Sequence, residues 1–311
     1  MNKRLKEIFG VLITLSLIII FVVYCGKILS PNFIGDAFNT INTFHKQPKD
    51  SIDVMVYGSS HAWKGFDTKE FTDKYGISSY NYGCNWQQIN TTELFLKDSL
   101  ITQTPKVVVI ESLYVNSVLI DRELNGEIYY TNAITNSLAK KEYLNQCFNG
   151  KVTRYISYYV PLVAFHENWT SINLWNFKNP TDDYDFMGNR GYLTSNKVTQ
   201  VELSDYTSFK QNELSEDAIK VLDDIVNTCK NKGIKVIFYT APYQGEYNYF
   251  NAMQAYANEH GCAYLNLFDL PPEYKIDGAT DFQDPGHLNN SGAKKVANYI
   301  GKYIIDNYDF Y

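Results

Sequence analysis

Cysteine is scarce: Cys25, Cys84, Cys147, Cys229 and Cys262 are the five in 311 residues. Their separations match no zinc-ligand spacing, and the four beyond the N-terminal segment are too sparse for a disulfide scaffold, so buried free thiols are expected. No cluster of His, Cys, Asp and Glu has metal-ligand spacing, and no phosphate-cradling glycine loop follows a strand. Neither a metal nor another cofactor is therefore expected. Internal repeats and low-complexity tracts are also missing, which sets aside repeat architectures and disorder. Basic runs are absent from the body of the chain. The net charge is -6, and residues 1–29 hold Lys3, Arg4, Lys6 and Lys27 against Glu7, a net +3, leaving the remainder at about -9. An acidic body without a basic stripe is a poor match for a phosphate backbone, so no nucleic acid partner is expected.

One long uncharged run stands out. In "MNKRLKEIFGVLITLSLIIIFVVYCGKILS", the stretch from Ile8 to Gly26 is 19 residues without charge. As a helix it would extend about 28 Å, close to the hydrocarbon thickness of a bilayer. The run exceeds the roughly 7–15 residues of a signal-peptide core, and no small-x-small cleavage site follows it. An uncleaved anchor is expected, with a cleaved signal peptide as the alternative. A lipoprotein site at Cys25 is disfavoured, because Tyr24 stands where processing needs a small residue. The basic residues precede the run, so the positive-inside rule leaves the N-terminus in the cytoplasm and the chain beyond Leu29 extracytoplasmic. Residues 1–29 read as cytoplasmic tip and transmembrane helix, and residues 30–50, with Pro31 and Pro48, as a stalk. Residues 51–311 form the working domain.

Within that domain, "IDVMVY" (52–57), "KVVVIES" (106–112) and "IKVIFYTAP" (234–242) are short apolar, β-branched runs of the kind that form buried strands. "SSYNYG" and "CAYLNLF" are weaker candidates of the same type. Amphipathic helices lie between them. In residues 215–232, Ala218, Val221, Leu222, Ile225, Val226 and Cys229 share one face, with Ser215 placed to cap the start and Gly233 the end. Ala293, Val296, Ala297, Ile300 and Ile304 repeat the pattern in the last helix. Apolar strands alternating with such helices predict an α/β fold, a central parallel sheet covered on both faces. Residues 113–212 break the rhythm as an aromatic-rich insertion, either a helical packing element or a lid.

Function in such folds sits beyond the carboxyl ends of the strands. There the first strand ends in "VYGSSHAW", which can present a serine hydroxyl at the top of the sheet beside backbone N–H groups. Far away in sequence, "QDPGHLNNSG" sets Asp284 three residues before His287 in a Pro-Gly turn. A serine hydroxyl needs a base to take its proton, and a neutral imidazole steadied by a carboxylate supplies one near neutral pH. Of the five histidines, His45, His61, His166, His260 and His287, only the last has an aspartate so placed.

A Gly-x-Ser after the first strand, a glycine after the second and an Asp-x-x-His before the final helix resemble the SGNH/GDSL hydrolase superfamily. The resemblance covers most of residues 51–311 outside the insertion. Together with the anchor, "GSSHA" and "DPGHLNNSGA" are similar to its cell-envelope branch, which includes polysaccharide O-acetyltransferases and the teichoic acid D-alanine transfer protein. It implies a flavodoxin-like α/β/α sandwich with Ser60 as nucleophile, His287 as base and Asp284 as its orienting partner. Oxyanion donors would be the N–H groups of Ser60 and Gly83. The third block of the family, Gly-x-Asn-Asp, is replaced by "ESLYVNS", leaving Asn116 or Asn85 as candidate side-chain donors.

Trp63 and Trp86 stand beside these motifs and Tyr192 lies in the insertion; each could stack on a sugar ring or pack in the core. His61, next to Ser60, is a further candidate substrate contact. The resemblance implies transfer of an acyl group, acetyl foremost, to an envelope or exported polysaccharide or a teichoic acid, with a multi-spanning membrane acyltransferase as donor partner. A carbohydrate esterase with the same triad and a non-catalytic polysaccharide-binding module are the alternatives.

Overall fold

A computed structural model describes residues 2–30, 37–118, 131, 133–134, 137–148, 151–177, 187–203, 205–245 and 247–310. Five strands, β1 (Val54–Tyr57), β2 (Ser79–Asn81), β3 (Val107–Glu111), β4 (Lys235–Thr240) and β5 (Ala263–Asn266), form one parallel sheet in the order β2-β1-β3-β4-β5. β1, β3 and β4 coincide with the three apolar β-branched runs of the sequence, and β2 and β5 with its two weaker strand candidates. A small antiparallel hairpin, β6 (Phe282–Asp284) and β7 (His287–Leu288), follows the sheet in sequence. The helices are α1 (Lys3–Leu29), α2 (Ala37–Phe44), α3 (Ser60–Trp63), α4 (Thr68–Tyr75), α5 (Ile89–Ser99), α6 (Ser137–Phe148), α7 (Val152–Ser157), α8 (Pro161–Phe165), α9 (Glu216–Lys230), α10 (Phe250–Glu259) and α11 (Asn290–Asn307).

The two-residue period of the strands sorts their side chains into two cores. Val54, Val56, Val107, Val109 and Ile237 point to one face and pack on Phe71 of α4 and on Val296, Ala297, Ile300 and Ile304 of α11. Met55, Tyr57, Val108, Ile110 and Phe238 point to the other, against Leu94 and Phe95 of α5, Leu222, Ile225 and Val226 of α9, and Met253 of α10. This is a three-layer α/β/α sandwich in the flavodoxin-like strand order. Local signals end the helices. Ser215 Oγ accepts the Ala218 N–H (3.2 Å) to start α9, and Gly233 follows its end with φ 73°. Asn289 Oδ1 accepts the N–H groups of Ser291 (2.9 Å) and Gly292 (3.3 Å) to start α11.

The chain runs from β1 to β2 on one side and then crosses to β3 on the other, so connections diverge at the carboxyl ends of β1 and β3. Ligands of such folds bind at that divergence, and the Gly58–Ser60 turn follows β1 there.

α1 is long and apolar enough to cross a membrane, and its apolar stretch is not buried in the body. Its last turn differs. Gly26 and Leu29 are buried, and the Leu162 backbone nitrogen lies where a β-carbon on Gly26 would be 3.0 Å away. The expected stalk also needs correction. Over α2 the chain docks on the body: Ile41 and Phe44 are fully buried, Phe44 stacks on Tyr82 at 4.6 Å, and Thr43 Oγ1 lies 2.8 Å from the Tyr80 hydroxyl. Asn39, Thr40 and Thr43 are buried with them, and a single apolar pair three residues apart among buried polar side chains is too brief a pattern to separate from a linker in sequence.

Where the insertion is described, it is helical over α6, α7 and α8 and then extended. Residues 191–203 run beside α3 and the hairpin: Leu193 N–H donates to the Trp63 carbonyl (3.0 Å), Thr199 N–H to Phe282 (2.8 Å) and Val201 N–H to Gly278 (2.7 Å). This strap ties the two ends of the working domain together.

Gly58 is the tightest point of the design, with φ 138°. A β-carbon there would lie 2.6 Å from Glu111 Cβ and 3.1 Å from Ala62 Cβ. Gly58→Ala is expected to cost roughly 2–4 kcal/mol, combining backbone strain with overpacking. The reading is a lower chemical-denaturation midpoint; an unchanged midpoint would mean that the turn relaxes around the methyl group.

Candidate active site

The site starts from the turn after β1. Ser59 caps α3, its Oγ accepting the His61 N–H (3.2 Å) and donating to Glu111 Oε2 (2.9 Å). Ser60 is the first residue of α3, where backbone N–H groups have no partner within the helix. The residue is half-buried.

The hairpin brings the other two side chains. Asp284 and His287 are paired across β6 and β7, and the Gly286 N–H donates to Asp284 Oδ1 (3.0 Å), tightening the Pro-Gly turn. From the next connection of the sheet, Gln244 N–H donates to the Pro285 carbonyl (2.9 Å). His287 Nδ1 lies 2.8 Å and 3.0 Å from the two carboxylate oxygens of Asp284, and its Nε2 lies 2.8 Å from Ser60 Oγ. A carboxylate only accepts, so Nδ1 holds the proton and Nε2 presents its lone pair to the serine hydroxyl. The three residues named from sequence thus stand in one hydrogen-bonded chain. This arrangement can take a proton from Ser60 as its oxygen attacks an electrophile.

The resting protonation state leaves the ring free to accept that proton. Burial and the nearby Lys64 ammonium hold His287 below the ordinary imidazole range, against the opposing pull of Asp284, so the ring is neutral at pH 7. For Asp284, burial acts to raise the pKa, but His287, the Gly286 N–H and Lys64 outweigh it and keep the carboxyl below its ordinary value. Behind them His61 is buried, edge-on to Tyr243 at 5.5 Å and 5.3 Å from the His287 ring. Burial and the proximity of His287 push its pKa down to about 3. His61 therefore backs the His287 ring as a neutral wall, which corrects its expected role as a substrate contact.

The other sequence candidates separate by burial. Trp63 is fully buried and its indole N–H donates to the Gly191 carbonyl (3.0 Å), so it joins helix to strap and offers no ring face to a sugar. Tyr192 is likewise buried, its hydroxyl donating to Asn290 Oδ1 (2.8 Å). Trp86 is 65% exposed with φ 56°, held edge-to-face against Tyr114 at 5.6 Å. It alone of these aromatic candidates has an open face. The Gly83 N–H is committed to Asn81 Oδ1 (3.0 Å), which removes it as an oxyanion donor in this arrangement. Asn116 uses its side-chain oxygen to accept the Ser215 N–H (2.6 Å) at the start of α9, while Asn85 stays exposed in the turn after β2.

Two residues that motif reading passed over hold the site in shape. Asn81 is fully buried, and its Nδ2 donates to the carbonyls of Ala62 (2.8 Å) and Phe66 (3.1 Å), clamping α3 to β2. Glu111 closes β3, accepting from Ser59 Oγ and from the Leu113 N–H (2.7 Å). A carboxylate at the end of an otherwise apolar run, "KVVVIE", was the available signal, because a buried charge needs partners. Among the described residues no group of three or more His, Cys, Asp and Glu could hold a metal ion. None of the five cysteines forms a disulfide.

No protein-family model matches the chain. No curated protein sequence matches it either. Among solved structures, the chain is similar to a Bacteroides fragilis protein provisionally described as an acylhydrolase, with TM-score 0.41 and 13% identity over 89% of this chain and 99% of that one. A GDSL-like lipase from Bacteroides thetaiotaomicron gives TM-score 0.40 and 13% identity, covering 89% of this chain and all of the other.

Glu111 has a measurable signature of its own. Burial raises its carboxyl from 4.5 to about 7, overcoming the hydrogen bonds from Leu113 and Ser59 that act to lower it. The folded state then binds more protons than the unfolded state between those two values, so stability falls as pH rises through that window and levels off above it. Glu111→Gln removes this contribution. The loss of melting temperature between about pH 5 and about pH 8 is expected to be smaller in the variant than in the parent chain; equal losses would place the titration elsewhere.

Proposed function

We propose that this chain is a membrane-anchored, extracytoplasmic serine acyltransferase of the SGNH/GDSL kind, which O-acylates an envelope or exported polysaccharide. The acyl group is acetyl. The observation that carries this reading is the continuous hydrogen-bonded chain from Asp284 through both nitrogens of His287 to Ser60 Oγ. In the first half-reaction Ser60 Oγ attacks the acyl carbonyl while His287 Nε2 takes its proton, and Asp284 stabilises the imidazolium. The Ser60 N–H, at the open first turn of α3, is positioned to donate to the oxyanion. Collapse of the tetrahedral intermediate expels the donor's leaving group with the proton from His287, leaving an acyl-serine. A sugar hydroxyl then loses its proton to the same nitrogen and attacks the acyl carbonyl; collapse breaks the bond to Ser60 Oγ, which takes the proton back from His287.

Anchoring is supported by the packing of Gly26 and Leu29, since the last turn of α1 belongs to the body. The basic residues before the apolar run support an N-terminus in the cytoplasm. An acetyl donor must then reach the outer face, which calls for a multi-spanning membrane acyltransferase as partner. The open face of Trp86 favours a sugar acceptor. A carbohydrate esterase would follow the same steps with water as acceptor, and the partial exposure of His287 and Asp284 side chains, 23% and 39%, favours that second reading.

Incubation with an activated acetyl ester is expected to add one acetyl mass to the chain and none to Ser60→Ala. His287→Ala should slow adduct formation by roughly two to four orders of magnitude. Absence of any adduct would favour a binding module, and acetate release without transfer to added oligosaccharide would favour the esterase. The acylation rate should rise with pH through a midpoint below the ordinary histidine value of about 6.5 and then level. Lys64 disfavours the protonated ring, so Lys64→Gln is expected to move that midpoint upward; a downward or absent shift would refute the electrostatic role given to it.

A further inference from the structure

The segment after α6 has a composition that its packing does not use. Val152 and Ile156 of α7 stand one turn apart, and with Val163, Trp169, Leu174 and Phe177 they keep between 42% and 81% of their surface exposed. The same segment buries Tyr158 and Phe165, so it is folded on one side, while its exposed side carries these large apolar groups among polar ones such as Glu167 and Asn173. Large exposed apolar surfaces of this kind mark interaction sites.

Its position identifies the occupant. α8 packs against Gly26 through Leu162. Asn176 Nδ2 donates to the Ile28 carbonyl (2.8 Å) and Asn168 Nδ2 to the Leu29 carbonyl (3.1 Å). These side chains satisfy the carbonyls at the C-terminal end of α1, which the helix itself leaves bare. The segment is thereby fixed at the level of the last turn of α1, about one hydrocarbon thickness from Ile8. The segment contacts α1 through α8 and through the turns at 166–171 and 174–177, and α1 carries exposed apolar side chains of its own. A tryptophan and a phenylalanine among them suit the boundary between headgroups and acyl chains.

We infer that residues 152–177 form a membrane-interface seat, whose exposed apolar side chains lie in the outer headgroup boundary of the bilayer crossed by α1. The inference rests on α1 as a spanning helix, and the ligand is the lipid surface. The body is held down on the membrane by this seat as well as by the anchor.

The test uses the full chain in phosphatidylcholine nanodiscs carrying doxyl quenchers at a shallow or a deep acyl position. The emission lost in Trp169→Phe isolates one side chain, already exposed and so replaceable without a folding penalty. That emission should be quenched more by shallow than by deep doxyl and poorly by aqueous acrylamide. Strong acrylamide quenching without doxyl quenching overturns the seat, and is the outcome expected if the face is reserved for a protein partner. A Leu17→Trp chain separates the two readings: deep quenching there with a water-exposed Trp169 sinks the seat alone, whereas no deep quenching at Leu17→Trp sinks the spanning helix itself.

Discussion

The contact between Ser60 Oγ and His287 Nε2 joins two segments 227 residues apart. A hydrogen bond contributes only about 0.5–1.5 kcal/mol net, far less than the loop-closure and side-chain entropy needed to bring such distant groups together. It is therefore set by the frame. The parallel sheet places the turn after β1 at its carboxyl edge, and the hairpin arrives at that edge because α11 must return across the face it shares with α4. Between them the strap of the insertion bonds to both sides, through Leu193 to Trp63 and through Thr199 to Phe282. Asn290 Oδ1 accepts from both Tyr192 and Ser195 and so fixes the strap to the first turn of α11.

Polar groups beneath the triad give the edge its shape. Asn289 caps α11 while its Nδ2 donates to the carbonyls of Lys197, Thr280 and Phe282. Asp281, with a fully buried side chain, pairs with Lys295 at 2.5 Å and accepts from Ser291 Oγ (2.7 Å). Burial works to raise its pKa, but Lys295, the Asp277 N–H and Ser291 prevail and hold it below the ordinary range. Each of these groups would be costly if left unpaired, so each constrains the backbone around it. Asn81 does the same for α3, and Glu111 for the cap residue Ser59.

Much of this was legible in the sequence because the signals were local. Apolar runs marked the strands, Ser215 and the apolar face of 215–232 marked α9, and the short spacings in "YGSSH" and "DPGH" marked the three side chains that meet. Side-chain direction was not legible. Trp63, Trp86 and Tyr192 are equally aromatic, yet only the sheet and strap decide that two are buried and one is open. Gly83 reads as a donor by position, but its N–H is consumed by a neighbour two residues away, a fact of the folded turn. The docking of α2 escaped notice since eight residues hold too few periods to declare a face.

The absence of a free stalk over α2, together with the grip of Asn168 and Asn176 on the end of α1, bears on reach. A protein on a loose tether sweeps a hemisphere and samples polymers at many heights. Under the proposed anchoring, a body clasped to the end of α1 moves mainly by lateral diffusion, with Ser60 confined to a thin layer above the lipid. For the proposed transfer to a polysaccharide, acceptor strands would have to thread that layer, and acylation would fall on chains as they emerge, before they extend beyond it.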